Sequence, residues 1–150
     1  MDTYLNVPQL PHTGKTVITS TSSVYPGGKG INQAIGASRL GHRVTLIGNV
    51  GSDLDSDNIY RALNENGVET HGVKRCLQTD TGKAYIFVDS NGDSMISILT
   101  GANGIFTPQD ICEKEHLFEN TGYCLIQSEI PLILCERHAV WHTNIMQKPS

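Results

Sequence analysis

Residues 26–34 place unusual chemistry in one short run: Pro26, Gly27, Gly28, Lys29, Gly30, Ile31, Asn32, Gln33 and Ala34. Three glycines in four residues (Gly27, Gly28 and Gly30) let a backbone approach another group closely, because no Cβ intervenes. Ile31, Ala34, Ile35 and Ser38 then recur at helical spacing, with Gly41 where a helix would stop. The first N–H groups of such a helix have no partner within it. Lys29 and Asn32 add side-chain donors and one amide acceptor. Together these suit an oxygen-rich ligand. The plainer reading is a glycine turn that only starts a helix, and the run alone leaves both open. Far along the chain, Glu129 follows the apolar run 123–127. A carboxylate at the C-terminal end of a strand is well placed for a site in an open α/β sheet, though an ordinary loop glutamate looks the same.

The surrounding elements must hold these groups. Tyr4, Leu5 and Val7 suggest a short strand broken by Pro8. Gly14-Lys15-Thr16 resembles the end of a phosphate-binding P-loop. The glycine required five residues earlier is Gln9, and residues 16–19 have the β-branched character of a strand rather than a helix. The run is therefore a turn leading into a strand. Residues 43–49 predict a buried strand around Val44, Leu46 and Ile47. Residues 53–66 predict a helix with Leu54, Ile59, Ala62 and Leu63 inward and Asn66-Gly67 as its stop. Residues 68–75 predict another short strand. This alternation predicts an α/β layer with a mostly parallel sheet.

Residues 82–100 differ. Asn91-Gly92 between two alternating strands predicts a two-residue hairpin pairing Ser90 with Asp93. That register places Ala84, Ile86 and Val88 opposite Leu99, Ser97 and Met95, and Tyr85 and Phe87 opposite Ile98 and Ile96. Both faces are largely apolar, so each needs cover, either inside a larger sheet or as a lid between a ligand and a partner subunit. Thr107-Pro108-Gln109-Asp110 starts a helix running to about residue 120, and residues 123–127 predict the next buried strand.

The chain of 150 residues is long enough for one domain with a core. Its net charge is −4, and Lys and Arg are scattered singly, which argues against nucleic acid. No apolar run approaches the ~18 residues of a membrane span, and no leader pattern opens the chain. The four cysteines form no Cys-x-x-Cys pair and read as reduced thiols of a cytoplasmic protein. Cys135, His138 and His142 fall short of a metal set, with Ala139 where a zincin has Glu.

The longer pattern resembles the ribokinase-like carbohydrate kinases. Gly28 to Asn32, with Gly41 and Gly51 beyond, match the family's sugar-binding loop, Lys29 and Asn32 being its side-chain contacts. Asp2 followed by Pro11-x-x-Gly14-x-Thr16 matches the first segment, whose aspartate binds sugar hydroxyls. Thr81-Gly82-x-Ala84-x-Ile86 matches a lid strand lining the sugar pocket, and Asn91-Gly92 with Gly101-Ala102-Asn103 the rest of the lid. Gln127-x-Glu129-x-Pro131 matches the segment whose glutamate also binds sugar.

The resemblance implies a doubly wound α/β half-domain over residues 1–131, with a small β-sheet lid from about 4–26 and 82–100. Residues 132–150 form a divergent tail. It implies a substrate site of Asp2, Gly28, Lys29, Gly30, Ile31, Asn32, Ala84, Ile86 and Glu129. It also implies ATP-dependent phosphorylation of a pentose, in particular D-ribose at O5, and a homodimer through the lid. The pattern departs from the family at Ser56, which replaces a glycine and is expected to cap a helix. The family's Asp-Thr-x-Gly-Ala-Gly-Asp motif, with its catalytic base, does not occur, so no catalytic residue, ATP site or Mg²⁺ site is expected in this chain. The alternatives are a non-catalytic sugar-binding or dimerisation module, and a fragment that folds poorly.

Overall fold

The computed structural model describes residues 1–127, 129 and 130. The divergent tail, Pro131 and the Cys135, His138 and His142 group lie outside the described residues. Two layers of structure meet at the glycine loop. One is a four-stranded sheet built from β1 (Asp2–Asn6), β2 (Thr21–Tyr25), β5 (Lys83–Val88) and β6 (Ser94–Leu99) in the order β2-β1-β5-β6. The β1 strand runs antiparallel to β2 and parallel to β5, and β5 and β6 form the hairpin. The other is an α/β body in which β3 (Gly48–Val50), α2 (Leu54–Glu65) and β4 (Val73–Arg75) form a parallel strand–helix–strand unit beside α1 (Lys29–Arg39).

The body places helices on both sides of its strands. Leu46 packs with Met1, Ala34, Val50, Ile59, Leu63 and Val68, on the side covered by α1 and α2. Ile47, the next residue, packs with Phe106, Ile111 and Phe118 on the other side. This alternation is that of an extended strand buried on both faces. The predicted strand 43–49 is only partly laddered: Thr45 bridges Glu69, and regular pairing begins at Gly48.

Both long helices end as their sequences predict. In α1, the N–H groups of Gly41 and His42 donate to the carbonyls of Ser38 and Ala37, with Gly41 at φ +88°. In α2, Gly67 and Val68 donate to Asn64 and Leu63, with Gly67 at φ +70°. Both are Schellman stops, which need a residue tolerant of positive φ. The α2 N-cap is Asp53, whose Oδ1 accepts from Ser56 N–H. Ser56 is therefore not the cap. It is a fully buried third residue of the helix whose hydroxyl donates to Asp53 O. Leu54, expected inward, is 80% exposed, because the cap places it on the outer side of the first turn.

Three other expectations are corrected. Residues 16–19 form no strand, and Ile18 is exposed. β2 instead occupies residues 21–25, because β1 pairs only as far as Asn6 before Pro8, which has no N–H to donate. The helix from Pro108 stops at Cys112 as α3 and resumes as a 3-10 turn over Glu115–Phe118. Residues 123–127 belong to none of the strands among the described residues. Cys124 packs inward on the Phe106 cluster, while Tyr123 and Leu125 face out.

The hairpin is also shifted by one residue. Ala84 pairs with Ile98, Ile86 with Ile96 and Val88 with Ser94, leaving a three-residue loop of Ser90, Asn91 and Gly92. Asp89 fixes it: its Oδ1 accepts from the N–H groups of Asn91 and Asp93, and Gly92 takes φ +86°. A one-residue shift exchanges the faces of the second strand. Ile96 and Ile98 therefore share a face with Ala84 and Ile86, while Met95, Ser97 and Leu99 lie with Tyr85 and Phe87.

Candidate functional site

The lid sheet meets the body at Asp2. A Cβ built on Gly27 would lie 2.1 Å from Asp2 Oδ2, so the carboxylate occupies space that only glycine leaves open. Gly28, at φ +103°, is the N-cap residue of α1 and provides no side-chain cap. The first-turn N–H groups of α1 and the Asp2 carboxylate thus converge on one spot. Because Asp2 touches this loop, the sheet face that carries it looks into the cleft. Strand register puts Tyr4, Ala84, Ile86, Ile96 and Ile98 on the same face.

The opposite wall comes from the end of the described chain. Lys29 Nζ forms an ion pair with Glu129 Oε1 across 100 residues of sequence. Next to it Gln127 Nε2 donates to Gln33 Oε1 at 2.7 Å. Lys29 is 65% exposed and Glu129 43%. An exposed pair of this kind contributes about 1 kcal/mol or less, so its partners can exchange each other for ligand hydroxyls at little cost.

The structure thus gathers Asp2, Gly28, Lys29 and Glu129 from three distant segments, with Ala84 and Ile86 above them. Gly30 lies against Gln127; a Cβ there would come 3.9 Å from Gln127 Cγ. Asn32 is exposed on the first turn of α1. Ile31 is placed differently: its side chain packs on the Met1 and Ala34 core, so it anchors the loop rather than facing the cleft. Ile98 was not singled out from sequence. The two-residue hairpin assumption put it on the wrong face; Asp89, two residues before Asn91, is the signal for the longer loop.

The donor set suits polyols. Carboxylates accept from hydroxyls, the ammonium and amide donate, and aliphatic groups cover the carbon skeleton. Among the described residues no three His, Cys, Asp or Glu side chains gather as a metal site. A separate concavity of about 620 Å³ lies on the far face of the lid root, lined by Gln78, Asp80, Lys83, Tyr85 and Leu99 among others. It shares no residue with the cleft.

The sequence pattern of the pfkB family carbohydrate kinases matches residues 1–146. The chain belongs to this family. It is 37% identical over 131 residues to the ribokinase of Bacillus subtilis (strain 168), covering 87% of this chain and 44% of that protein. It is 35% identical over 130 residues to the deoxyribokinase of Salmonella typhi, covering 87% and 42%. The fold superposes on Thermotoga maritima ribokinase with a TM-score of 0.83 at 30% identity, covering 93% of this chain and 46% of that one. It also superposes on Arabidopsis thaliana ribokinase complexed with ribose and ATP, with a TM-score of 0.72 at 31% identity over 87% and 43%. The fold is therefore the ribokinase-like α/β fold, and the chain spans less than half the length of these relatives. Among the described residues no helix is long and apolar enough to cross a membrane.

Proposed function

We propose that this chain supplies the sugar-binding and lid half of an ATP-dependent pentose kinase whose substrate is D-ribose, phosphorylated at O5. The observation that carries this reading is the convergence of Asp2, Lys29 and Glu129 at the glycine loop beneath an aliphatic lid face. Asp2 and Glu129 accept from vicinal hydroxyls, while Lys29 and Asn32 donate. Ala84, Ile86 and Ile98 cover the ring and exclude water. A site built on paired polar groups rejects sugars lacking a hydroxyl, because its own groups are then left unpaired. The ribokinase and deoxyribokinase relatives, and the ribose and ATP in the Arabidopsis complex, support a pentose and ATP. ATP and Mg²⁺ would be held by residues other than these.

Phosphoryl transfer rests on positioning and charge stabilisation around the phosphates. No Asp-Thr-x-Gly-Ala-Gly-Asp run occurs in these 150 residues, so the chain alone binds sugar without turnover. Calorimetric titration with ribose, 2-deoxyribose and fructose tests the sugar reading, and a coupled ATPase assay tests the lack of turnover. ATP-dependent formation of ribose 5-phosphate by the purified chain would contradict the second point.

A second reading, pairing through the lid, is favoured by the outer face of the sheet. There Val24, Met95 and Leu99 are 54%, 44% and 56% exposed. It predicts a homodimer in sedimentation.

A further inference from the structure

We propose that Asp53 is a positioning residue for the lid: its carboxylate ties the root of β5 to the start of α2 and so sets how far Ala84, Ile86 and Ile98 stand from the glycine loop. This rests on the sugar-site reading for its functional consequence but not for its structural test. The lid sheet joins the body at two places: at the start of β1, where Met1 packs with Ala34, Ile59 and Leu63 and Asp2 meets Gly27, and at the root of β5, where the bonds to Asp53 set the angle. Asp53 Oδ1 accepts from Thr81 Oγ1 at 2.6 Å and from Ser56 N–H at 3.1 Å. Asp53 Oδ2 accepts from Thr81 N–H at 3.0 Å. Thr81 Oγ1 in turn accepts from Gly51 N–H at 3.0 Å, and Thr81 is 3% exposed. Lys83, the first residue of β5, places Nζ 3.7 Å from Asp53 Oδ2 and 3.1 Å from Asp55 Oδ2.

Close backbone crossings surround this pin. A Cβ on Gly51 would lie 2.3 Å from Thr81 N, one on Gly82 2.8 Å from Thr100 O, and one on Gly101 2.5 Å from Asp80 O. The two roots of the hairpin therefore cross each other and the end of β3 at van der Waals limits. One carboxylate closes the arrangement by capping a body helix with the same oxygen that receives the lid's threonine. A cap alone needs only the bond to Ser56; the two bonds to Thr81 are additional.

Two substitutions separate the roles. Thr81→Val keeps the side-chain shape and leaves the cap intact. Asp53→Ser keeps a good cap residue but shortens the reach to Thr81. Spin labels on cysteines introduced at Asn91 (lid tip) and Arg61 (outer face of α2), in the full chain lacking its native cysteines, report the lid–body distance by pulsed electron resonance. The expected result is a single narrow distribution in the parent. Its width at least doubles in both variants and returns in Thr81→Ser, with α-helical circular dichroism unchanged. Unchanged widths in both folded variants would overturn the proposal and leave Asp53 as a helix cap. Ribose titration is the second readout: the pin predicts a dissociation constant several-fold higher in Thr81→Val. Broadened distances in a chain whose parent form binds no ribose would support the pin and refute the sugar reading.

Discussion

At the scale of single residues, the cleft depends on one glycine and a few charges. Gly27→Ala is expected to abolish ribose binding while the chain still folds, since the new methyl would occupy the position of the Asp2 carboxylate. Titration calorimetry with a parallel melt checks both halves of that statement. Lys29→Met removes a charged donor, an interaction of about 1.5–3 kcal/mol when made to a bound partner. It should weaken ribose binding by about tenfold or more, with little change in melting temperature because the Lys29–Glu129 pair is exposed. These residues were legible in the sequence because their types state their chemistry. Ile31 and Ile98 were not. An isoleucine does not announce whether it faces core or ligand; Ile31 turns into the core by helix phase, and Ile98 reaches the cleft only through a register set by Asp89.

At the scale of elements, helix ends were easier to read than strands. Gly41 and Gly67 stop their helices through local bonds that sequence encodes directly. Strand identity depends on a distant partner, which explains the failures at 16–19, where β1 has ended, and at 123–127, which joins no strand ladder among the described residues. The α3 element offers a local test. Thr107 and Asp110 form a reciprocal capping box, and Lys74 Nζ lies 2.5 Å from Asp110 Oδ1. Thr107→Ala should destabilise the chain by about 1–2 kcal/mol, the usual worth of a cap, measured by urea unfolding.

At the scale of the molecule, three carboxyls share one pH signature. Burial pushes the Asp110 and Asp53 carboxyls up, but hydrogen bonds and a lysine outweigh it: Lys74 and Thr107 at Asp110, and Thr81, Ser56 and Lys83 at Asp53. Hydrogen bonds from Arg43 and Thr45 likewise hold Glu69 below the usual range. Each is lower in the folded chain than in the unfolded one, where such groups titrate near 4. Each therefore stabilises fully above that value, and the contribution is lost as pH falls through the folded-state value. The melting temperature should be flat near neutrality and drop steeply below about pH 4. The outer lid face carries the association test: if it pairs two copies, Leu99→Glu should convert a sedimenting dimer to monomer without altering ribose binding, since Leu99 faces away from the cleft.

The central claim is that the cleft between glycine loop and lid binds a pentose. Its most direct measurement is calorimetric titration of ribose into the 150-residue chain, with a melt recorded on the same sample. The account predicts saturable one-to-one binding and a melting temperature that rises with ribose, as a ligand selective for the folded state requires. A chain that melts cooperatively, shows no heat with millimolar ribose and keeps the same melting temperature would contradict it.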